Sequence, residues 1–129
     1  MRVEDHGPVP AERVFAILRQ HHLFLFPSLG ESFGHVILES LQARCPVLIS
    51  DRTFFRGLTE ERGGWDLPLD RPEAFQAVLR RCVAMDDDEF QRISARAGKL
   101  AASVAHDPQA IDQNRQVLQL GVEHRRLAA

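Results

Sequence analysis

The sequence predicts an α/β domain: a small parallel sheet with flanking helices that passes into a mainly helical carboxy-terminal part. Three observations predict it. Two short continuous apolar runs, Leu23-Phe24-Leu25-Phe26 and Val47-Leu48-Ile49, have the length and composition of strands covered on both faces of a parallel sheet. Between them Val36, Ile37, Leu38 and Leu41 recur at helical spacing, so strand, helix and strand form a βαβ unit, expected to be right-handed. From Asp70 onward the apolar period is helical. The 129 residues suit one domain spanning 1–129, in which folding removes roughly two-thirds of the unfolded surface from water.

Taken in order, Val14, Phe15, Ile17 and Leu18 give an amphipathic helix over Ala11–Gln20, introduced by Pro10. Pro27 ends the first strand, and a polar turn with glycines, 28–34, leads to a helix from about Phe33 to Arg44. Pro46 ends that helix before the second strand. A looser stretch with Phe54, Phe55 and Leu58 follows, and Gly63-Gly64 turns into an edge strand over Trp65–Pro68. Asp70-Arg71-Pro72-Glu73 reads as a helix start with Asp70 at the cap. Phe75, Val78, Leu79, Cys82 and Val83 supply that helix's apolar positions. Another helix starts at the acids 86–89 and runs through Phe90, Ile93, Ala97 and Leu100; a last one starts at Asp107-Pro108. There is no internal repeat or linker. Two or three strands are few for a parallel sheet of about five, and Arg2-Val3-Glu4 is at most a strand stub. The sheet therefore has an open edge, expected either of a fragment of a larger fold or of a chain whose partner covers that edge.

Composition excludes several classes. Sixteen basic residues against 18 acidic give a net charge of −2, so no basic field exists to hold a nucleic-acid backbone. No apolar run approaches the ~20 residues of a membrane span, and the first residues lack the form of a signal peptide. Cys45 and Cys82 stand far apart and read as buried thiols of a reducing cytoplasm.

The chemistry-bearing segment is Pro27-Ser-Leu-Gly-Glu31-Ser-Phe-Gly-His-Val-Ile-Leu-Glu39. A strand ends, a short loop delivers Glu31, and a helix begins with free amides and its positive dipole end facing the loop. Gly34 leaves room for a ligand to approach the backbone. Such a helix start suits an anion such as a diphosphate, at the strand end where open α/β sheets bind ligands. Glu39 lies roughly 12 Å beyond Glu31 if the segment is helical. Two acids so spaced, with amides between, suit a ligand with hydroxyls at both ends and an anionic centre, the form of a nucleotide-sugar.

Glu31-Ser-Phe-Gly-His-Val-Ile-Leu-Glu39, with PS before it and PVLIS after it, resembles the E-x7-E motif of retaining GT-B glycosyltransferases, especially glycosyltransferase family 4 (glycosyl transferases group 1). The resemblance covers about residues 7 to 105. It implies a partial Rossmann-like sheet, the donor-binding carboxy-terminal half of a GT-B fold. By it, Glu31 contacts donor-sugar hydroxyls, the backbone of Phe33, Gly34, His35 and Val36 meets the sugar and diphosphate, and Glu39 takes the ribose hydroxyls. The family transfers sugar from a UDP-, GDP- or ADP-sugar to a glycan or lipid acceptor with retention, with neither a bound metal nor a cofactor. The setting implied is bacterial glycan biosynthesis in the cytoplasm, with any peripheral membrane contact made by the absent half.

The chain also departs from the family. The amino-terminal acceptor domain is absent, as is the upstream basic pair that grips the diphosphate, so no catalytic residue is assigned and little or no transfer is expected of the chain alone. Arg44 stands where relatives have a helix-ending glycine, which implies a different helix end, and Thr53-Phe54-Phe55-Arg56 lacks the family's small-residue loop and acid.

Elsewhere plainer readings prevail. His35 is expected to be exposed, offering only its backbone. His21 and His22 suit a helix carboxyl end. No histidine and cysteine grouping has zinc spacing, Ser28 and Ser32 lack a base partner, and the acids 86–89 lack the pattern of a calcium loop. Phe54, Phe55 and Trp65 fit a core, a pocket or the face toward a missing domain. Arg80-Arg81 and Arg125-Arg126 read as solvated faces. The alternative function is a non-catalytic interaction module that pairs through its open sheet edge with a partner chain. A nucleotide-sugar epimerase and a receiver-like domain rank below it, the first because it does not usually carry this motif, the second for want of an acidic triad.

Overall fold

The computed structural model describes residues 2–30, 35–107 and 109. Helix α1 (Ala11–Arg19) precedes strand β1 (Phe24–Phe26), and α2 (His35–Gln42) crosses to β2 (Val47–Ser50). A loop containing the 3-10 turn Glu60–Arg62 leads to β3 (Gly64–Leu67), and α3 (Pro72–Ala84) and α4 (Asp87–Ala105) follow. The strands form one parallel sheet in the order β1-β2-β3, with Phe24 opposite Val47 and Val47 opposite Gly64. The α/β class, the strands and the helix order agree with the expectation. No described helix is long and apolar enough to cross a membrane.

Central β2 is buried at all four positions. Val47 and Ile49 point to one face, where they pack with Ile37 and Leu41 of α2 and Ala97, Leu100 and Ala101 of α4. Phe55 and Leu58 close that core from the loop after β2, while Phe54 stays 37% exposed. A smaller cluster joins Leu18 of α1 to Ala43 and Cys45 beyond α2. Gly63 lets the chain entering β3 approach α4 closely, and Gly64 lets β3 approach β2. A Cβ on Gly63, which has φ +81°, would lie 2.8 Å from the Ala97 Cβ, and one on Gly64 would lie 2.7 Å from Val47 Cγ2.

Polar groups fasten the periphery. Asp66 of β3, with its side chain 8% exposed, accepts from the amides of Gly57 (3.2 Å) and Leu58 (2.5 Å) and pairs with Arg56 at 3.5 Å. A buried carboxylate needs such partners, and they hold the Phe54–Leu58 loop against the sheet. Asp86 caps α4 in a reciprocal capping box with Glu89, as its acid cluster suggests. Arg81 bridges Glu60 and Glu89, each at 3.1 Å, so this part of the expected solvated arginine pair instead ties α3 to α4 and the 3-10 turn.

Several expectations are corrected. β1 is covered on one face only: Phe24 and Phe26 are half-buried against the core, whereas Leu25 points to the other face and is 47% exposed. Face cover comes from the layers packed on a sheet, and little of the described chain lies over Leu25. Residues 2–4 form no strand. Arg71, not Asp70, caps α3, and no side chain bonds there. Pro72 takes the first helical position, since its fixed φ suits that place, and this leaves Asp70 one residue too early. None of the residues of α3 is fully buried, and Val83 is 88% exposed; the helix packs on edge strand β3, which offers little surface. Cys45 is buried, whereas Cys82 is only half-buried.

Arg44 does not change the helix end. It adopts the left-handed conformation itself, with φ +60°. The Cys45 amide donates to Ser40 O at 2.9 Å and the Arg44 amide to Leu41 O at 3.0 Å, the paired bonds of a Schellman ending. The final helix expected after Asp107 lies, apart from Gln109, outside the described residues.

Candidate functional site

The site is built at the carboxyl ends of β1 and β2. Chain direction alone sets this: β1 leaves the sheet at Phe26 into Pro27 and Ser28, and α2 returns from His35. Ser28 organises the exit. Its hydroxyl donates to Gly30 O at 2.9 Å and accepts from the Gly30 amide at 3.2 Å. Ser50, fully buried at the end of β2, donates its hydroxyl to Ser28 O. The Arg52 amide donates to the same hydroxyl at 3.4 Å. One serine thus ties the loop to the sheet, and the other sets the backbone just before residue 31. These two serines were not identified from the sequence as a pair; the available sign was a small hydroxyl residue at the end of each neighbouring strand.

Of the predicted site residues, His35, Val36 and Glu39 are described; Glu31, Phe33 and Gly34 lie outside the described residues. The first turn of α2 carries His35, which is exposed as expected, and Val36, which is half-buried against the core. Glu39 is half-buried one turn further on. At i and i+4, His35 and Glu39 share a helix face, about 6 Å apart along the axis. Ile37 and Leu41, on the opposite side, anchor the helix in the core. The fold therefore uses Ile37 and Leu41 of α2 in packing and leaves His35 exposed and Glu39 half-buried on the other face. No basic side chain among the described residues pairs with the Glu39 carboxylate, so it stays available as an acceptor for hydroxyls.

The thiols offer no nucleophile. Burial pushes Cys45 up, against a smaller opposing effect from Ser40, and burial likewise pushes Cys82 up, helped by the nearby Glu60 charge. Both stay protonated near neutral pH. No group of three or more metal-binding side chains converges among the described residues. What the arrangement can do is hold a polyhydroxyl ligand by an acid on a helix that starts at a strand's carboxyl end.

Residues 1–85 match the family described as glycosyl transferases group 1. That span takes in the sheet, the βαβ unit with Glu39, and α3, and stops just before α4. No curated protein and no solved structure matches the chain. With most of its length and its whole sheet inside the match, the chain belongs to the glycosyl transferases group 1 family, with a glycosyltransferase-type function.

Proposed function

We propose that this chain, 1–129 as one domain, is the donor-binding half of a retaining glycosyltransferase that moves a sugar from a UDP-, GDP- or ADP-sugar to a glycan or lipid acceptor. The observation that carries the reading is the position of Glu39, half-buried on α2 one turn after the loop leaving β1, in a chain of this family. In this reading Glu31 holds donor-sugar hydroxyls, the backbone of Phe33, Gly34, His35 and Val36 meets the sugar and diphosphate, and Glu39 accepts from the ribose hydroxyls. The bond from the anomeric carbon to the diphosphate breaks, the acceptor oxygen bonds to the same face, and its proton passes to the departing phosphate. Amides at the start of α2 stabilise the charge that develops on the diphosphate. No protein nucleophile, metal or cofactor enters the scheme. In this reading the chain supplies donor binding, and alone it transfers little or no sugar.

Amide NMR of the labelled chain tests this. Adding the matching nucleoside diphosphate is expected to move the resonances of residues 31–39 together with Ser28 and Gly30. Shifts confined to other regions, or none, would refute the assignment.

The open edge of β1 favours a second reading. Leu25 is exposed and β1 pairs with β2 alone among the described strands, so a partner chain adding a strand there would make this an interaction module. Sedimentation separates the two: a stable stoichiometric oligomer favours the module, and soluble aggregate favours the separated half of an enzyme.

A further inference from the structure

Two adjoining cavities among the described residues lie at the amino ends of β1 and β2, the opposite end of the strands from the loop that precedes α2. Leu23 and Pro46, which directly precede β1 and β2, help line a cavity of about 230 Å³ with Trp65, Met85, Phe90 and Ile93. An apolar cavity of about 150 Å³ already accepts benzene. Beside it lies a groove of about 250 Å³ lined by Arg19, Gln20, His21, Arg44, Gln91 and Ser94. His22 and Phe90 border both spaces, and their rings lie 4.8 Å apart, so the two spaces adjoin at that pair.

The charges are segregated. No carboxylate lines the groove, although acids outnumber bases in the whole chain. Neither Arg19 nor Arg44 has an ion-pair partner among the described residues. The helix-end carbonyls that would otherwise occupy these bases already have donors. Ile17 O is 2.7 Å from His21 Nδ1, Leu18 O accepts from the His21 amide, and Arg44 O accepts from Ser94 Oγ at 2.7 Å. Two acids, Asp86 and Asp87, line the apolar cavity rather than the groove, and Asp86 is engaged as the cap of α4. Two guanidiniums with imidazoles nearby match a doubly charged anion, and an apolar cavity with a few polar groups at its mouth is the ordinary form of a small-molecule site.

We propose that the paired cavities form a binding site for an amphipathic phosphate monoester, its compact apolar group beside Trp65 and its phosphate on Arg19 and Arg44. The site is separate from the proposed donor site, and it stands whether or not the chain binds nucleotides.

Trp65 is the chain's single tryptophan, so its emission reports occupancy of the cavity. The test titrates the full chain with n-octyl phosphate below its micelle concentration, and in parallel with octanol and with inorganic phosphate. Octyl phosphate is expected to shift the emission saturably, with octanol and phosphate each at least tenfold weaker. Arg19→Gln and Arg44→Gly are each expected to weaken binding about tenfold, while Arg80→Gln leaves it unchanged. Each variant is titrated at a temperature below the onset of its own unfolding curve, so lost binding does not reflect lost folding. The proposal is overturned if no saturable shift occurs, if octanol binds as tightly as octyl phosphate, or if both arginine variants bind as the parent does. A response seen only with micelles or anionic vesicles overturns it as well.

Discussion

The hydroxyl of Ser50 at the end of β2 donates to the carbonyl of Ser28, the residue at which the chain leaves β1. Ser28 in turn holds both backbone groups of Gly30. The backbone of residues 28–30 is therefore tied to β2, the most buried of the described strands. Ser50→Ala is predicted to cost about 1–2 kcal/mol, the usual result of leaving a part-buried polar group short of a partner. It should also weaken donor binding more than its stability loss accounts for. Urea unfolding together with nucleotide titration checks both effects, and unchanged binding would show that the loop holds its shape without the tie.

Gly63 is the tightest point between the sheet and α4. A side chain there meets both the backbone of Ala97 and a left-handed φ of +81°. Gly63→Ala is predicted to destabilise by about 2–4 kcal/mol, combining strain and overpacking. At Gly30 a Cβ meets nothing within 4 Å among the described residues, so Gly30→Ala serves as the comparison, with a small effect in the same unfolding experiment.

Arg44 occupies the left-handed position that ends α2. Arg44→Gly is predicted to stabilise the fold by about 1 kcal/mol, the conformational cost of a side chain in that region. Its side-chain stem lies beside α4, 3.2 Å from where a Cβ on Gly98 would stand, and losing that contact in the exchange reduces the gain. A lower unfolding midpoint would mean that this contact outweighs the strain.

Glu89 titrates below the ordinary glutamate range, first because the Asp86 amide donates to its carboxylate, then because Arg81 does. An acid depressed in the folded state binds its proton more weakly than in the unfolded chain. Its contribution is then complete above the unfolded value of about 4.3 and is lost as pH falls through the lower folded value. Glu89→Gln is predicted to be less stable near neutrality and to show a flatter decline below about pH 4.3. Thermal unfolding across pH 3–7 reads this directly, and parallel curves would assign the acid sensitivity to other groups.

How much was legible in the sequence follows from where each feature draws its cause. The strands of Leu23–Phe26 and Val47–Ile49 and the face of α4 were legible because their apolar period is local. The Asp86 cluster was legible because a helix start declares its acids within one turn. The exposure of Leu25 and Val83 was not, since it depends on which faces the rest of the chain covers. Nor were the ties from Asp66 to the Leu58 amide, Arg81 to Glu60, and Ser50 to Ser28, which join residues 8 to 22 positions apart. Of the site, the position of Glu39 one turn into a helix after β1 was readable from the motif. The loop's attachment to β2 needed the fold.

The central claim, that Glu39 serves a nucleotide-sugar, is tested most directly by calorimetric titration with UDP, GDP and ADP and their glucose or mannose conjugates, for the parent chain and Glu39→Ala. The account predicts saturable binding to one nucleotide series, weakened about tenfold or more by the substitution. A folded chain that binds none of them, or a variant that binds as tightly as the parent, would contradict it.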